Sequence, residues 1–302
     1  MIAQALADGV LTGAVIALGA IGVSFTMQIM RFANFAHAEL LTWGGYLALL
    51  IVGWIGAGVP TAGLSFGVPM LLAAAGAAAL TGALAFGLDR LVFARLRRRG
   101  AHHLTMIFAS FGLGLVLRHL VVLFWGHESR FYTRELQISL EVLPGVRVLP
   151  DQIFILGLTV LIVVALHLYL KHSRTGIAMR ATAESPALAS ACGIEVERVI
   201  RATWFIGGGL GALAGVFVGL TPQLNAEIGG NLLLALFAAA ILGGVGSLPG
   251  AVVGGLAVGL AENVMLLWVN PGYKQAMPFL LLLLVLLLRP QGLFGERKEG
   301  DR

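Results

Sequence analysis

The chain has 302 residues, 58% of them hydrophobic and 12% charged, against roughly 25% charged in an ordinary soluble domain. Apolar stretches of spanning length recur from end to end, which excludes a soluble fold and predicts an all-α, polytopic helical membrane protein, one transmembrane domain over 1–302. The net charge of +5 is gathered in a few short breaks, so it reads as a topology signal and excludes a nucleic-acid surface; a transmembrane barrel would show short alternating strands instead.

The first predicted span, 7–29, has no Lys or Arg ahead of it and carries Asp8, unlike a cleavable signal peptide, so it is read as a retained helix. It runs into RFANFAHAELLTW, residues 31–43, where Arg31, Asn34, His37 and Glu39 interrupt apolar sequence. Spans 40–57 and 67–89 follow, then an arginine-rich break at 90–103. Span 104–125 holds Arg118 and His119 near its outer end, where Arg118 either snorkels outward or pairs with an acid. The segment 126–150 mixes Arg130, Arg134 and Arg147 with Glu128, Glu135 and Glu141 and is read as an external loop.

Span 152–170 leads to the longest polar stretch, the inner loop 171–200, and spans 199–219, 231–245, 251–269 and 275–288 complete the chain. The bias of Lys and Arg toward cytoplasmic loops places 90–103, 171–200 and the tail with Arg289, Arg297, Lys298 and Arg302 inside. Nine crossings result, with the N-terminus outside and the C-terminus inside. Spans 231–245 and 275–288 rise only about 22 Å, short of a core of roughly 30 Å, so eight crossings with one re-entrant piece is the alternative.

Intramembrane polar groups are the candidates for a substrate pathway: Asn34, His37, Glu39, Asn225 and Glu262. An acid at helix centre costs about 2.5–3.5 kcal/mol on insertion scales, so Glu262 should face the bundle interior or water. Asn34 and His37 share a helical face, whereas Glu39 points elsewhere on a regular helix. An interrupted segment aiming all three at one pathway is therefore expected; the plain alternative, marked by Ala38 in ordinary helical geometry and Glu39 paired with another helix, is a structural clasp with the pathway elsewhere. LNAEIGGN (224–231), followed by Gly243 and Gly244, echoes NFAHAE (34–39), followed by Gly44 and Gly45. The two units point in opposite directions by the assigned topology, which suggests an inverted repeat of the kind transporters use. Gly207, Gly211, Gly215 and Gly219, with Gly254, Gly255 and Gly259, read as helix faces that pack closely in lipid.

The inner loop carries its own punctuation. ESPALASA (184–191) offers a short helix with Ser185 as N-cap and Pro186 just inside, and Gly193 is placed to end it. Arg180 and Glu184 stand four apart and are expected to pair across a turn. Ala187, Leu188 and Ala191 form a small apolar face suited to a partner's groove. Cys192 has no cysteine to pair with, so a disulfide within the chain is excluded.

Catalytic chemistry finds no support. The three lysines, Lys171, Lys274 and Lys298, follow Leu, Tyr and Arg, so no phosphate-binding loop ends in a Gly-Lys step. The seven histidines form no HExxH and have no cysteine partners, which leaves no metal site, and no cofactor is implied. No hydrolase elbow is present.

NFAHAE (34–39), SRTGIAMRATAESPALASACGI (173–194) and AAAILGGVGSLPGAVVGG (238–255), in this order along residues 8 to 295, resemble the integral-membrane permease of branched-chain amino-acid ABC importers, specifically the first, LivH-type, of its two permease subunits. The resemblance implies a permease forming the translocation pathway in the inner membrane. It implies a homologous second permease subunit, two cytoplasmic ATP-binding subunits, and a periplasmic or extracellular substrate-binding protein as partners. It further implies that the loop around Arg180, Glu184 and Gly193 inserts its short helix, with Ala187 and Leu188, into the ATPase. Urea or short amides are the substrate alternative, and a stand-alone ion-coupled carrier or channel using His37, Glu39 and Glu262 is the alternative from another class. One departure is visible: Ala38 stands where the family usually has Gly, and Ala resists the backbone angles that a broken helix at that point needs.

Overall fold

A computed structural model describes the chain except for residues 61–62, 134, 136, 222, 290 and 296–302. Arg134 and the tail residues Arg297, Lys298 and Arg302 therefore lie outside the described residues.

Helices α1 (Ile2–Met30), α2 (Ala36–Ile55) and α3 (Val68–Leu88) open the chain. A π turn at Asp89–Phe93 carries α3 without a break into α4 (Ala94–Arg98). The arginine-rich segment expected as a break from 90 is thus helical to Arg98. The cause is local: Arg97 closes back on buried Asp89, with Nη1 2.6 Å and Nη2 3.1 Å from its two carboxylate oxygens. Arginines in a last helical turn also complement the helix dipole. Helix α5 (His103–Trp125) follows, then a hairpin of β1 (Leu140–Leu143) and β2 (Val146–Val148), an addition to the expected all-α fold. The hairpin docks on the start of α1, where the Gln4 amide donates to the Arg147 carbonyl at 2.9 Å and accepts the Arg147 N–H at 2.8 Å.

Helix α6 (Pro150–His172) passes into α7 (Arg174–Glu184) and α8 (Pro186–Ala191), and α9 (Val196–Leu220), α10 (Ile228–Gly243), α11 (Leu248–Met265) and α12 (Ala276–Leu288) complete the bundle. The irregular part of the inner loop is narrower than 171–200, because α6 runs to His172 and α9 starts at Val196. Among the described residues, seven helices are long and apolar enough to cross a membrane; α10 and α12 are shorter apolar helices. Taking the arginine-rich end as the inner side, α1 runs inward and α9 outward.

Packing is organised around α1 and α9, which pack on each other through the second half of α1. Helix α1 lies along α11, and α9 lies along α3; α2 packs on α9, α3 and α5, and α10 packs on α1, α11 and α12. Small residues allow this closeness. A methyl at Gly215 would meet the Leu41 carbonyl, one at Gly44 would meet the backbone of Ala212, and one at Gly259 would meet Gly13. Apolar burial does not drive association in lipid, so this backbone approach supplies the dispersion contact that holds the bundle. The glycine face read from α9 is therefore the α1–α2–α9 seam.

Candidate functional site

The polar segment after α1 is a short break at Arg31–Phe35, not an interruption at Ala38. Arg31 caps α1 in the left-handed region, φ 56°. Ser110 on α5 serves the break: its hydroxyl accepts the Phe35 N–H at 3.1 Å and lies within donating distance of the Ile107 carbonyl, 2.7 Å away. Helix α2 then begins at Ala36, so Ala38 sits in plain helical geometry. Its methyl is tolerated because the chain breaks before it, which answers the departure seen in the motif.

Asn34, His37 and Glu39 are all buried. His37 faces α1 and α9, its ring against Gly22, Gly207 and Gly211, and neither ring nitrogen has a hydrogen-bond partner among the described residues. Asn34 likewise has no partner for its amide. Glu39 faces α5, where Arg118 donates to Oε1 from Nε at 3.0 Å and from Nη2 at 2.5 Å. Thr42 Oγ1 lies 3.3 Å from the other Glu39 oxygen and accepts the Gly229 N–H from α10 at 3.0 Å. Of the two accounts of Arg118, pairing holds. The three motif residues do not converge on one point: His37 lies on the α1–α9 side of α2 and Glu39 on the α5–α10 side.

Gly229 packs directly on the Ala38 carbonyl, so the first turns of α2 and α10 meet. Both helices therefore start inside the bundle rather than at its ends. His37 lies beside Gly22, eight residues before the inner end of α1 at Met30, a depth of about 12 Å at 1.5 Å per residue. Each start follows a break that carries an asparagine, Asn34 before α2 and Asn225 before α10. Asn225 Oδ1 accepts the Glu227 N–H at 3.0 Å and so organises the second break.

The outer side holds a cavity of about 1360 Å³. Glu128, Arg130 and Gln137 of the external loop, Ser65 after α2, and Asp151 and Gln152 at the start of α6 line its polar part. Asp151 is buried and fully engaged: it accepts from the Ser65 N–H at 3.0 Å, the Ser65 hydroxyl at 2.5 Å and the Gln137 amide at 2.7 Å. The loop forming this wall is tied to α10's break by paired backbone bonds between Arg130 and Leu224, 2.8 and 2.9 Å. Buried Tyr132 donates to the Gly45 carbonyl at 2.8 Å. Burial pushes the Tyr132 phenol above the ordinary tyrosine range. Glu262 is buried on α11, as an intramembrane acid requires, with Lys274 Nζ 3.9 Å away.

On the inner side, Ser185 caps α8 by accepting the Leu188 N–H at 3.3 Å, Pro186 opens the helix, and Gly193 follows it with φ 84°. Ala189 is buried beneath, while Ala187, Leu188 and Ala191 face outward; Leu188 is 65% exposed. Arg180 does not pair with Glu184. It donates instead to the Leu170 carbonyl at 2.8 Å, satisfying the open end of α6, a stronger demand than an exposed ion pair. Glu184 closes α7 rather than opening the short helix. Arg31 reaches the Ala183 and Glu184 carbonyls at 3.5 and 3.3 Å, so α1 is tied to the end of α7. Sequence reasoning missed this tie and the Asp151 cluster, because Arg31 reaches carbonyls 152 and 153 residues away and Asp151 depends on Ser65, 86 residues away.

Broken helices meeting inside a glycine-packed bundle, an outer chamber and a structured inner loop define the class: a multi-span membrane transport permease. The chain belongs to the branched-chain amino acid transport system permease component family, whose model matches residues 5–286. It is 32% identical over 301 residues to the high-affinity branched-chain amino acid transport system permease protein LivH of Escherichia coli K12, covering 97% of this chain and 95% of the relative. It is 33% identical over 300 residues to the corresponding protein BraD of Pseudomonas aeruginosa, with the same coverage. A probable branched-chain amino acid transport permease protein LivH of Methanocaldococcus jannaschii is 25% identical over 306 residues, 95% of this chain and 92% of the relative. No solved structure matches the chain.

Proposed function

We propose that the chain is one transmembrane subunit of an ATP-driven importer for branched-chain and other hydrophobic amino acids in a bacterial inner membrane. The observation that carries the reading is the inner loop. It presents a capped, six-residue helix with Ala187, Leu188 and Ala191 facing outward, on a sequence without a phosphate-binding loop of its own. ATP-binding subunits supply what the chain lacks, two of them against this loop and its counterpart on a homologous second permease. A substrate-binding protein delivers to the outer chamber. The substrate class follows the names of the relatives.

Within the chain, the pathway runs from the outer chamber toward the meeting point of α2 and α10. Asn34 and Asn225 stand in the two breaks, and His37 and Glu262 lie along the route, while Glu39, paired with Arg118, is a structural clasp beside it. In this conformation the Glu39–Arg118 pair holds that clasp closed. Nine crossings fit the charge pattern, with α10 and α12 as short members. The inverted repeat draws support from exchanged packing partners: α1 lies on α11 as α9 lies on α3, α2 on α9 as α10 on α1, and α2 on α5 as α10 on α12. Helix α6 then sits between the two halves and reverses their direction. A carrier relaying protons through His37, Glu39 and Glu262 is the weaker reading, since His37 has no hydrogen-bond partner among the described residues and Glu39 is held by Arg118.

The test is ATP-dependent leucine uptake into liposomes carrying the assembled importer. Leu188→Asp is expected to weaken association with the ATP-binding subunits about ten-fold or more, as loss of an interface anchor does. Uptake by this chain alone, or unchanged association in Leu188→Asp and Glu184→Lys, refutes the coupling assignment. Uptake of urea in place of leucine refutes the substrate assignment.

A further inference from the structure

A second, smaller cavity of about 250 Å³ opens beside the outer chamber and shares Thr12, Gln152 and Thr221 with it. Its size falls just under the roughly 300–1,000 Å³ of ordinary small-molecule sites, which suits a solute smaller than a drug. The deeper wall is apolar, with Val15 of α1, Ile155 of α6, Val218 of α9 and Leu232 of α10. Lys274 supplies the one charge among the described residues of the lining. Its ammonium stands 3.9 Å from the buried carboxylate of Glu262, beyond hydrogen-bond distance, and has no hydrogen bond among the described residues.

We infer that this niche is a substrate subsite for a hydrophobic zwitterion, with Lys274 receiving its carboxylate. The ammonium donors of Lys274 are free to turn to a second anion, and a four-carbon stem gives them reach. The apolar side chain enters among Val15, Ile155, Val218 and Leu232. The substrate's ammonium then faces the mouth, where the hydroxyls of Thr12 and Thr221 and the Gln152 amide form the polar edge shared with the chamber. Glu262 is a positioning residue: it holds Lys274 over the niche and balances its charge when the site is empty. The inference rests on the importer reading above and adds a location and an orientation to it.

The experiment uses the assembled importer in nanodiscs without the substrate-binding protein, so that selection by that protein does not enter. Direct binding of radiolabelled leucine is measured alongside ATP-driven uptake by the complete system. Wild type is expected to bind leucine, with competition by valine and weak competition by leucinol, which lacks the carboxylate. Lys274→Ala is expected to weaken binding about ten-fold, the effect of losing one charge-assisted bond, and Lys274→Arg to restore most of it. Val218→Trp, which fills the niche while leaving Lys274 in place, is expected to abolish binding and to leave the melting temperature near wild type. Leucine uptake by the complete wild type, combined with no binding in nanodiscs or with equal binding by Lys274→Ala and Val218→Trp, overturns the subsite and leaves the importer standing. Absence of leucine uptake by the complete wild type overturns the importer reading itself.

Discussion

Arg118 on α5 closes on the carboxylate of Glu39 on α2, with Nε and Nη2 both directed at Oε1, 3.0 and 2.5 Å away. The pair joins two helices at a depth where an unpaired charge is costly. Removing one partner of a buried pair costs roughly 3–5 kcal/mol; Arg118 is 31% exposed, which sets about 3 kcal/mol for the worse single variant. Arg118→Leu strands the buried carboxylate and is that variant. Glu39→Gln costs less, because the long arginine stem is able to carry its charge outward. The double variant is expected to melt above Arg118→Leu in detergent. A double variant no better than Arg118→Leu shows that packing, not the ion pair, sets the effect.

The α9 seam gives a steric prediction. A methyl at Gly215 meets the Leu41 carbonyl of α2, whereas one at Gly87, on α3, meets nothing within 4 Å. Gly215→Ala therefore separates α9 from α2 and costs about 1–3 kcal/mol, the usual range for overpacking. Gly87→Ala stays within about 1 kcal/mol of wild type and is stabilising in sign, since Ala is the better helix former. Thermal unfolding of the two variants side by side separates contact from propensity. Equal effects at both sites remove the seam as the explanation.

Legibility in the sequence followed the range of the interaction. The long spans were readable because lipid demands about twenty apolar residues in a row, and the glycine face of α9 because small residues at helical spacing have few other uses. Ser185, Pro186 and Gly193 were readable because capping acts within one turn. The partner of Arg180 was not: an i,i+4 acid was available at Glu184, but the open carbonyl of Leu170 at the end of α6 offered a less solvated acceptor. The position of the break was also misread by a few residues, since it is set by Ser110 on α5, seventy-five residues beyond Phe35. The surroundings of Lys274 were not legible either, since the cavity it borders is lined from four helices far apart in the chain.

The external loop yields a pH prediction. Tyr132 donates to the Gly45 carbonyl, and burial raises its phenol above the usual range, so the folded state favours the protonated form. A group whose folded value is raised contributes fully below its unfolded value, about 10 for tyrosine. That contribution is lost as the pH climbs past 10. Tyr132→Phe removes about 1 kcal/mol at neutral pH, the net worth of one such bond, and is expected to flatten the loss of melting temperature between pH 9 and 11. A variant that destabilises in parallel with wild type across that range assigns the alkaline loss to another group.

Arg31 tests how the inner loop communicates with the bundle. Its guanidinium holds the last carbonyls of α7, Ala183 and Glu184, while its own backbone sits at φ 56°, a region costing a non-glycine residue roughly 1–2 kcal/mol. The two properties separate by substitution. Arg31→Gly relieves the backbone and removes the tie, so the protein should be as stable as wild type or slightly more so. If α8 receives the push of the ATP-binding subunits, α7 and Arg31 carry it to the end of α1, one residue from the break that holds Asn34. ATP hydrolysis by the assembled Arg31→Gly importer is then expected to continue while leucine uptake per ATP falls several-fold, and Arg31→Lys, able to reach one carbonyl, is expected to be intermediate. Unchanged uptake per ATP in Arg31→Gly means that the inner loop drives the bundle through α6 and α9 instead, the two spanning helices to which the loop is covalently joined.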